Sequence, residues 1–86
     1  MVSISENNIF IPQKVLIPMD EEQNDHLKAY GIAFLSLKNN NTVNWLLNYR
    51  GGSFLLDLDE TIEKKCILRG VTYYIINGNQ VNNIFQ

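Results

Sequence analysis

Apolar positions along the chain come in short runs separated by polar and glycine-containing stretches. The first run, at 14–19, is continuous rather than alternating, which is typical of a strand covered on both faces. A second run, 43–49, breaks at an Arg-Gly-Gly-Ser stretch and resumes at 54–56. A third run, 71–76, is rich in β-branched and aromatic residues. We therefore predict three strands, of which the one that contains 43–49 is buried and carries the glycine-containing loop to the edge of the sheet.

Helical signals occupy the segments between these runs. Asp20 and Asp57 each stand three residues before a Gln or Glu, the spacing of a capping box. Apolar residues then recur at spacings of three and four, a pattern that predicts one buried helix face. In the first helix this stripe comprises Leu27, Tyr30, Ala33, Phe34 and Leu37. We predict helices near 21–38 and 59–69, the second closed by a left-handed Gly70, and the start of a third helix after Asn79.

Alternation of strands and helices predicts the fold class. Strand-helix-strand units form right-handed crossovers and favour a parallel sheet. We therefore predict an α/β domain over residues 14–86, a three-layer, flavodoxin-like or Rossmann-like half with a short parallel sheet and βαβαβ(α) order, preceded by an N-terminal arm at 1–13. Three strands leave two edges exposed, so we expect the domain to be a fragment of a larger one, or a subunit that associates through a sheet edge or the arm.

Composition narrows the classes of partner. The chain has 86 residues, a net charge of −2 and seven basic residues scattered along its length, which argues against nucleic-acid binding. No segment approaches the ~20 apolar residues needed to cross a membrane. The first 13 residues do not resemble a signal peptide, so we expect a cytoplasmic protein that does not bind membranes. The single cysteine, Cys66, cannot form an internal disulfide.

Arg50-Gly51-Gly52-Ser53 is the most site-like stretch of the sequence. In a parallel sheet, ligands bind beyond the carboxyl ends of the strands, where glycine amides and an arginine side chain hold an anion. We predict that an anionic small molecule binds there. The predicted ligand-binding residues are Asp20, Asn48, Arg50, Gly51, Gly52, Ser53 and Asn77. The alternative is a tight turn with a solvated Arg50, because neither the Rossmann nor the P-loop spacing is present.

Other chemically versatile residues have structural interpretations. His26 stands without a serine or cysteine at an identifiable spacing, so we interpret it as a surface residue. Cys66 falls on an apolar helix face, where a buried thiol is the ordinary outcome. Asp57, Asp59 and Glu60 are explained by helix capping, and we predict no metal site. Trp45, with apolar neighbours on both sides, is predicted to be mostly buried.

Three stretches taken together carry a resemblance to a known family. They are Val-Leu-Ile-Pro-Met-Asp-Glu-Glu-Gln at 15–23, His-Leu-Lys-Ala-Tyr-Gly at 26–31, and Trp-Leu-Leu-Asn-Tyr-Arg-Gly-Gly-Ser-Phe at 45–54. Over residues 15–85 the chain resembles the N-terminal part of bacterial proteins labelled asparagine synthetase B-like. The resemblance implies a segment of a longer protein. It does not imply amidase chemistry, since Val2 stands where that chemistry needs a cysteine.

Three functions follow as expectations. The first is the ligand-binding segment of a larger α/β enzyme, the second a stand-alone small-molecule binding module, and the third a non-catalytic assembly subunit completed by a partner chain. The first two place the site on the loop of residues 48–53, which we name the Arg50 loop. The third places the partner on a sheet edge or on the arm.

Overall fold

Four antiparallel strands and three helices form the fold of this protein in a computed structural model, which describes residues 12–85. The strands are β1 (Lys14–Ile17), β2 (Val43–Leu46), β3 (Ser53–Asp57) and β4 (Tyr74–Ile76). The helices are α1 (His26–Lys38), α2 (Glu60–Arg69) and α3 (Gly78–Ile84). The strand order across the sheet is β2-β3-β1-β4. Most of the predicted arm, residues 1–11, lies outside the described residues.

The predicted parallel sheet is wrong, because the Arg-Gly-Gly-Ser stretch reverses the chain. Arg50, Gly51 and Gly52 all have positive φ, at 48°, 77° and 91°. The Gly52 and Ser53 amides both donate to the carbonyl of Tyr49, which closes the turn. The apolar residues after the glycines therefore form a strand of their own, β3, that pairs antiparallel with β2. One predicted strand is thus a hairpin of two.

Because of this additional strand, the two strands joined by each helix are separated in the sheet by a third strand. β1 and β2 run in the same direction, as do β3 and β4, and each pair is joined by a helix as predicted. However, β3 lies between the first pair and β1 between the second, so every hydrogen-bonded pair is antiparallel. The first six elements have the β-α-β-β-α-β order of the ferredoxin-like arrangement. The flavodoxin-like and Rossmann-like predictions are therefore wrong.

Two hydrophobic clusters lie on opposite faces of the sheet. Val15 and Ile17 of β1 point into the larger cluster, between the sheet and helices α1 and α2. Leu16 points the other way and packs with Val81 of α3 and Leu55 of β3. Val15, Leu16 and Ile17 are all buried. The prediction that the first run forms a strand covered on both faces is confirmed, and α3 supplies the second cover.

Helix α1 begins later than the capping pattern predicted. Its N-cap is Asp25, whose side chain accepts a hydrogen bond from the Lys28 amide. Gln23, predicted to lie in the helix, is buried and bonds to backbone groups of Pro18 and Thr72. These bonds hold the segment before Asp25 in a turn that joins β1 to the start of β4.

The second helix follows the sequence more closely. Asp59 rather than Asp57 is its N-cap, and the side chain of Asp57 instead accepts hydrogen bonds from Lys14 and from the Thr42 amide. Gly70 closes the helix with φ 69°, which confirms the predicted left-handed cap. Asn77 caps α3 in a capping box with Gln80.

The predicted burial of Trp45 is wrong. Its side chain is 58% exposed, because β2 is an edge strand and α1 covers it only in part. The indole remains anchored, since its Nε1 donates to the Gly52 carbonyl at 2.9 Å. The chain's one tryptophan therefore lies on the surface of the domain rather than in its core.

Candidate functional site

The Arg50 loop packs on the turn that follows β1. Arg50 Nε donates to Asp20 Oδ2 at 2.9 Å, and Nη2 donates to Glu22 Oε1 at 2.6 Å. The guanidinium also lies over the ring of Tyr74, 5.3 Å from its centroid. The Met19 amide donates to the Arg50 carbonyl at 3.1 Å, which joins the two backbones. Asp20 and the Arg50 loop therefore lie together at one end of β1.

The charges of this cluster are matched within the chain. The hydrogen bond from Arg50 lowers the pKa of the Asp20 carboxyl below its ordinary value. The same bond raises the pKa of Arg50. With Glu22 as a second partner, two carboxylates surround one guanidinium, and the surplus charge is negative. An anionic ligand at Arg50 would compete with the two carboxylates that the guanidinium already binds.

The two glycines of the Arg50 loop allow it to pack closely on the turn after β1 and on Trp45. A Cβ on Gly51 would lie 2.7 Å from the Met19 carbonyl oxygen, so only glycine fits where the loop meets the β1 turn. Gly52 is buried against the indole of Trp45. Ser53 is buried, and its hydroxyl donates to the Arg50 carbonyl. Asn48 is exposed on the loop.

Asn77 lies apart from the other predicted ligand-binding residues. Antiparallel pairing of β1 with β4 places Lys14 opposite Ile76, so Asn77 is next to the start of β1. Asp20 follows the end of the same strand. The prediction that these residues lie together beyond the carboxyl ends of the strands required a parallel sheet, and it is therefore wrong for Asn77. Asn77 instead lines an open groove of about 620 Å³ together with Lys14 and Asp57, which form a 2.6 Å ion pair there.

The remaining chemical candidates have structural partners. His26 Nε2 lies 3.1 Å and 3.0 Å from the carbonyl oxygens of Met19 and Asp20, so this nitrogen carries the hydrogen and holds the turn. Cys66 is fully buried, and burial together with the charge of Glu63 raises the pKa of its thiol to about 11. Within residues 12–85, no group of three potential metal ligands is clustered.

Of the five apolar residues that the sequence pattern assigned to the buried face of α1, Ala33 is buried as predicted and the other four form an exposed apolar stripe. Its members are between 51% and 82% exposed: Leu27, Tyr30, Phe34 and Leu37. At 100° per residue these four positions fall within an arc of about 80°. The helix instead buries a neighbouring face of mostly small side chains: Ala29, Ile32, Ala33 and Ser36. Small side chains allow α1 to approach the sheet closely, and they leave the larger ones on its flank.

The stripe continues onto the edge of the sheet. The ring of Tyr30 meets Phe54 edge-on, with centroids 5.6 Å apart, and Phe54 stacks on Trp45 at 6.0 Å. Trp45 belongs to β2, which has no strand on its outer side among the described residues. The α1–β2 surface, as we name it, therefore consists of the stripe, Trp45 and the free edge of β2.

Neither β2 nor the stripe contains a charged residue. β2 reads Val-Asn-Trp-Leu, and the four stripe residues are uncharged. Edge strands of soluble proteins are commonly protected by lysine, proline or a bulge, because an unprotected edge pairs with other chains. The edge of β2 has neither a charge nor a proline. It therefore lacks the charged residues and prolines that discourage pairing with another strand.

Comparison with known proteins gives no assignment. No protein-family model matches the chain, and no curated protein or solved structure is similar enough to count as a match. The resemblance to asparagine synthetase B-like proteins thus stays a prediction. Among the helices of residues 12–85, none is long and apolar enough to cross a membrane.

Proposed function

We propose that this domain functions by protein association through the α1–β2 surface. The partner is a folded protein that presents an apolar patch together with a free strand edge. The observation that carries the proposal is the continuity of five large exposed side chains with an uncharged strand whose outer edge is unpaired among residues 12–85: Leu27, Tyr30, Phe34, Leu37 and Trp45.

The size of the patch supports this proposal. Aromatic side chains have roughly 150–250 Å² of surface each, so the exposed fractions of the three aromatic residues and the two leucines correspond to about 500 Å² of apolar area. An apolar area of about this size matches the largest patch of a typical monomeric protein, and such patches are often functional. Water contact with so much apolar surface is unfavourable, and a partner removes it.

Ligand binding at the Arg50 loop, in a stand-alone module or in an asparagine synthetase B-like enzyme, stays a prediction. The geometry favours it less than association. Arg50 is engaged by Asp20 and Glu22, and the amides of Gly52 and Ser53 donate to Tyr49. These bonds are sufficient to explain the loop as the structural link between the hairpin and β1.

Photo-crosslinking in cells of the source organism tests the proposal. Phe34 is replaced by benzoyl-phenylalanine, a larger aromatic residue that its 63% exposed position accommodates. The control carries the same residue at Leu68, which is 79% exposed on α2 and lies outside the α1–β2 surface. We expect a discrete protein adduct from position 34 and none from position 68. Absence of an adduct at 34, or equal adducts at both positions, would refute association through this surface.

A further inference from the structure

We infer that the partner at the α1–β2 surface is a second copy of this chain, related to the first by a two-fold axis beside β2. The inference rests on the proposed function, and it deepens it by naming the partner. Three features of the surface support it: the strand edge, the position of α1, and the exposed area.

The strand edge is suited to pairing with itself. A two-fold axis perpendicular to the sheet places two copies of one edge strand side by side and antiparallel, so each residue meets the same surface on the other copy. β2 carries no charge, so this arrangement brings no like charges into opposition along the strand. The four-stranded sheets would then join into one sheet of eight strands.

The position of α1 matches the same axis. The helix packs over both β2 and β3. Neighbouring strands are about 4.8 Å apart, so the two-fold axis lies half a spacing outside β2. A helix midway between β2 and β3 lies half a spacing inside β2, and its distance from the axis is therefore about 4.8 Å. The two copies of α1 would therefore be about 10 Å apart, within reach of the 8–10 Å at which helices pack. Joining the strands thus brings the two exposed stripes into contact.

The exposed area is adequate for a specific dimer. About 500 Å² of apolar side chain from each copy gives a total near 1,000 Å², the lower limit for a specific interface. The newly paired strand edges add to this area. We therefore expect a dimer that dissociates on dilution, and burial of the exposed Trp45 when it forms.

The opposite edge of the sheet lacks this combination. β4 has three residues, and α2, the helix that precedes it in the chain, does not present a comparable stripe. On α2 the exposed Ile67 and Leu68 are adjacent in sequence, so they point about 100° apart around the helix. Leu68 is therefore the matched control for Phe34, since both are large, apolar and exposed on a helix.

The test combines sedimentation velocity with tryptophan fluorescence over a dilution series of the full chain. The wild type is expected to shift from dimer to monomer on dilution, with a red shift of Trp45 emission over the same range. Phe34→Asp and Asn44→Lys, both at exposed positions, are expected to weaken the dimer at least tenfold. Leu68→Asp is expected to leave the dissociation constant unchanged. Circular dichroism of each variant checks that the fold is retained.

Three results would overturn the inference. The first is a wild-type chain that stays monomeric at every concentration. The second is a dimer that Phe34→Asp and Asn44→Lys leave intact, and the third is equal weakening by Leu68→Asp. A monomeric chain that still gives an adduct with a different protein from position 34 would refute the second copy as partner but uphold the proposed function.

Discussion

Replacement of Gly51 by alanine is expected to destabilise the fold by about 3 kcal/mol. Gly51 has φ 77°, a conformation that costs an L-residue roughly 1–2 kcal/mol. Its new Cβ would also lie 2.7 Å from the Met19 carbonyl oxygen and 2.9 Å from the Asp20 nitrogen. Relief of this clash separates the two backbones and breaks the hydrogen bond from the Met19 amide to the Arg50 carbonyl, worth about 1 kcal/mol.

Urea denaturation followed by circular dichroism measures this loss, and a second glycine separates its causes. Gly70 has φ 69°, close to that of Gly51, but a Cβ there meets nothing within 4 Å. Gly70→Ala should therefore lose only the conformational part, roughly 1–2 kcal/mol. Equal losses in the two variants would show that the contact of the loop with the β1 turn contributes nothing, and would refute the reasoning.

Three further predictions concern other parts of the fold. Gly31→Ala should raise the free energy of unfolding by up to about 1 kcal/mol in urea denaturation, because Gly31 lies inside α1 with open space around it; a decrease would contradict this. Lys14 lowers the pKa of Asp57 in the folded state, so the stability this carboxylate contributes is present above about pH 4 and lost at lower pH. Asp57→Asn should therefore be less stable than wild type at pH 7, with a smaller difference at pH 2.5. Cys66, buried with a pKa of about 11, should react with a thiol reagent at pH 8 only after denaturation, and rapid reaction of the native chain would contradict its burial.

Much of the secondary structure could be predicted from the sequence, but the direction of the strands could not. The apolar runs and the cap at Gly70 correspond to real elements. The glycine pair is compatible with two arrangements, a loop at the end of one strand, which we predicted, and a turn between two strands, which the structure has. Periodicity does not separate these, because the apolar residues on either side are continuous in both cases. The missing signal was the length of 53–57, which is sufficient for a strand of its own.

The sequence also did not show which face of α1 is buried. The helical spacing of large apolar residues predicts a buried face that includes Phe34 and Leu37, yet both are exposed, while Ala29 and Ser36 outside the predicted stripe are buried. Hydrophobicity ranks the larger side chains as more buried. A face of small residues that permits close approach to a sheet is a weaker signal, and it is visible here only in the structure.

The prediction of the candidate site depended on both the strand directions and the buried face of α1. Asp20 and Arg50 lie together because the hairpin loop packs on the turn after β1. Asn77 lies at the other end because β4 runs antiparallel to β1. The α1–β2 surface was not among the predicted sites, because its residues had been assigned to the core. A general expectation of association through a sheet edge was the nearest prediction to it.

Amide hydrogen exchange as a function of protein concentration tests most directly whether copies of this chain meet at β2. The measurement compares the two edge strands, β2 at 43–46 and β4 at 74–76, in dilute and concentrated samples. Association through the α1–β2 surface predicts that exchange in β2 slows as the concentration rises, while exchange in β4 stays the same. Exchange in β2 that does not depend on concentration, or protection that develops at β4 instead, would contradict the account.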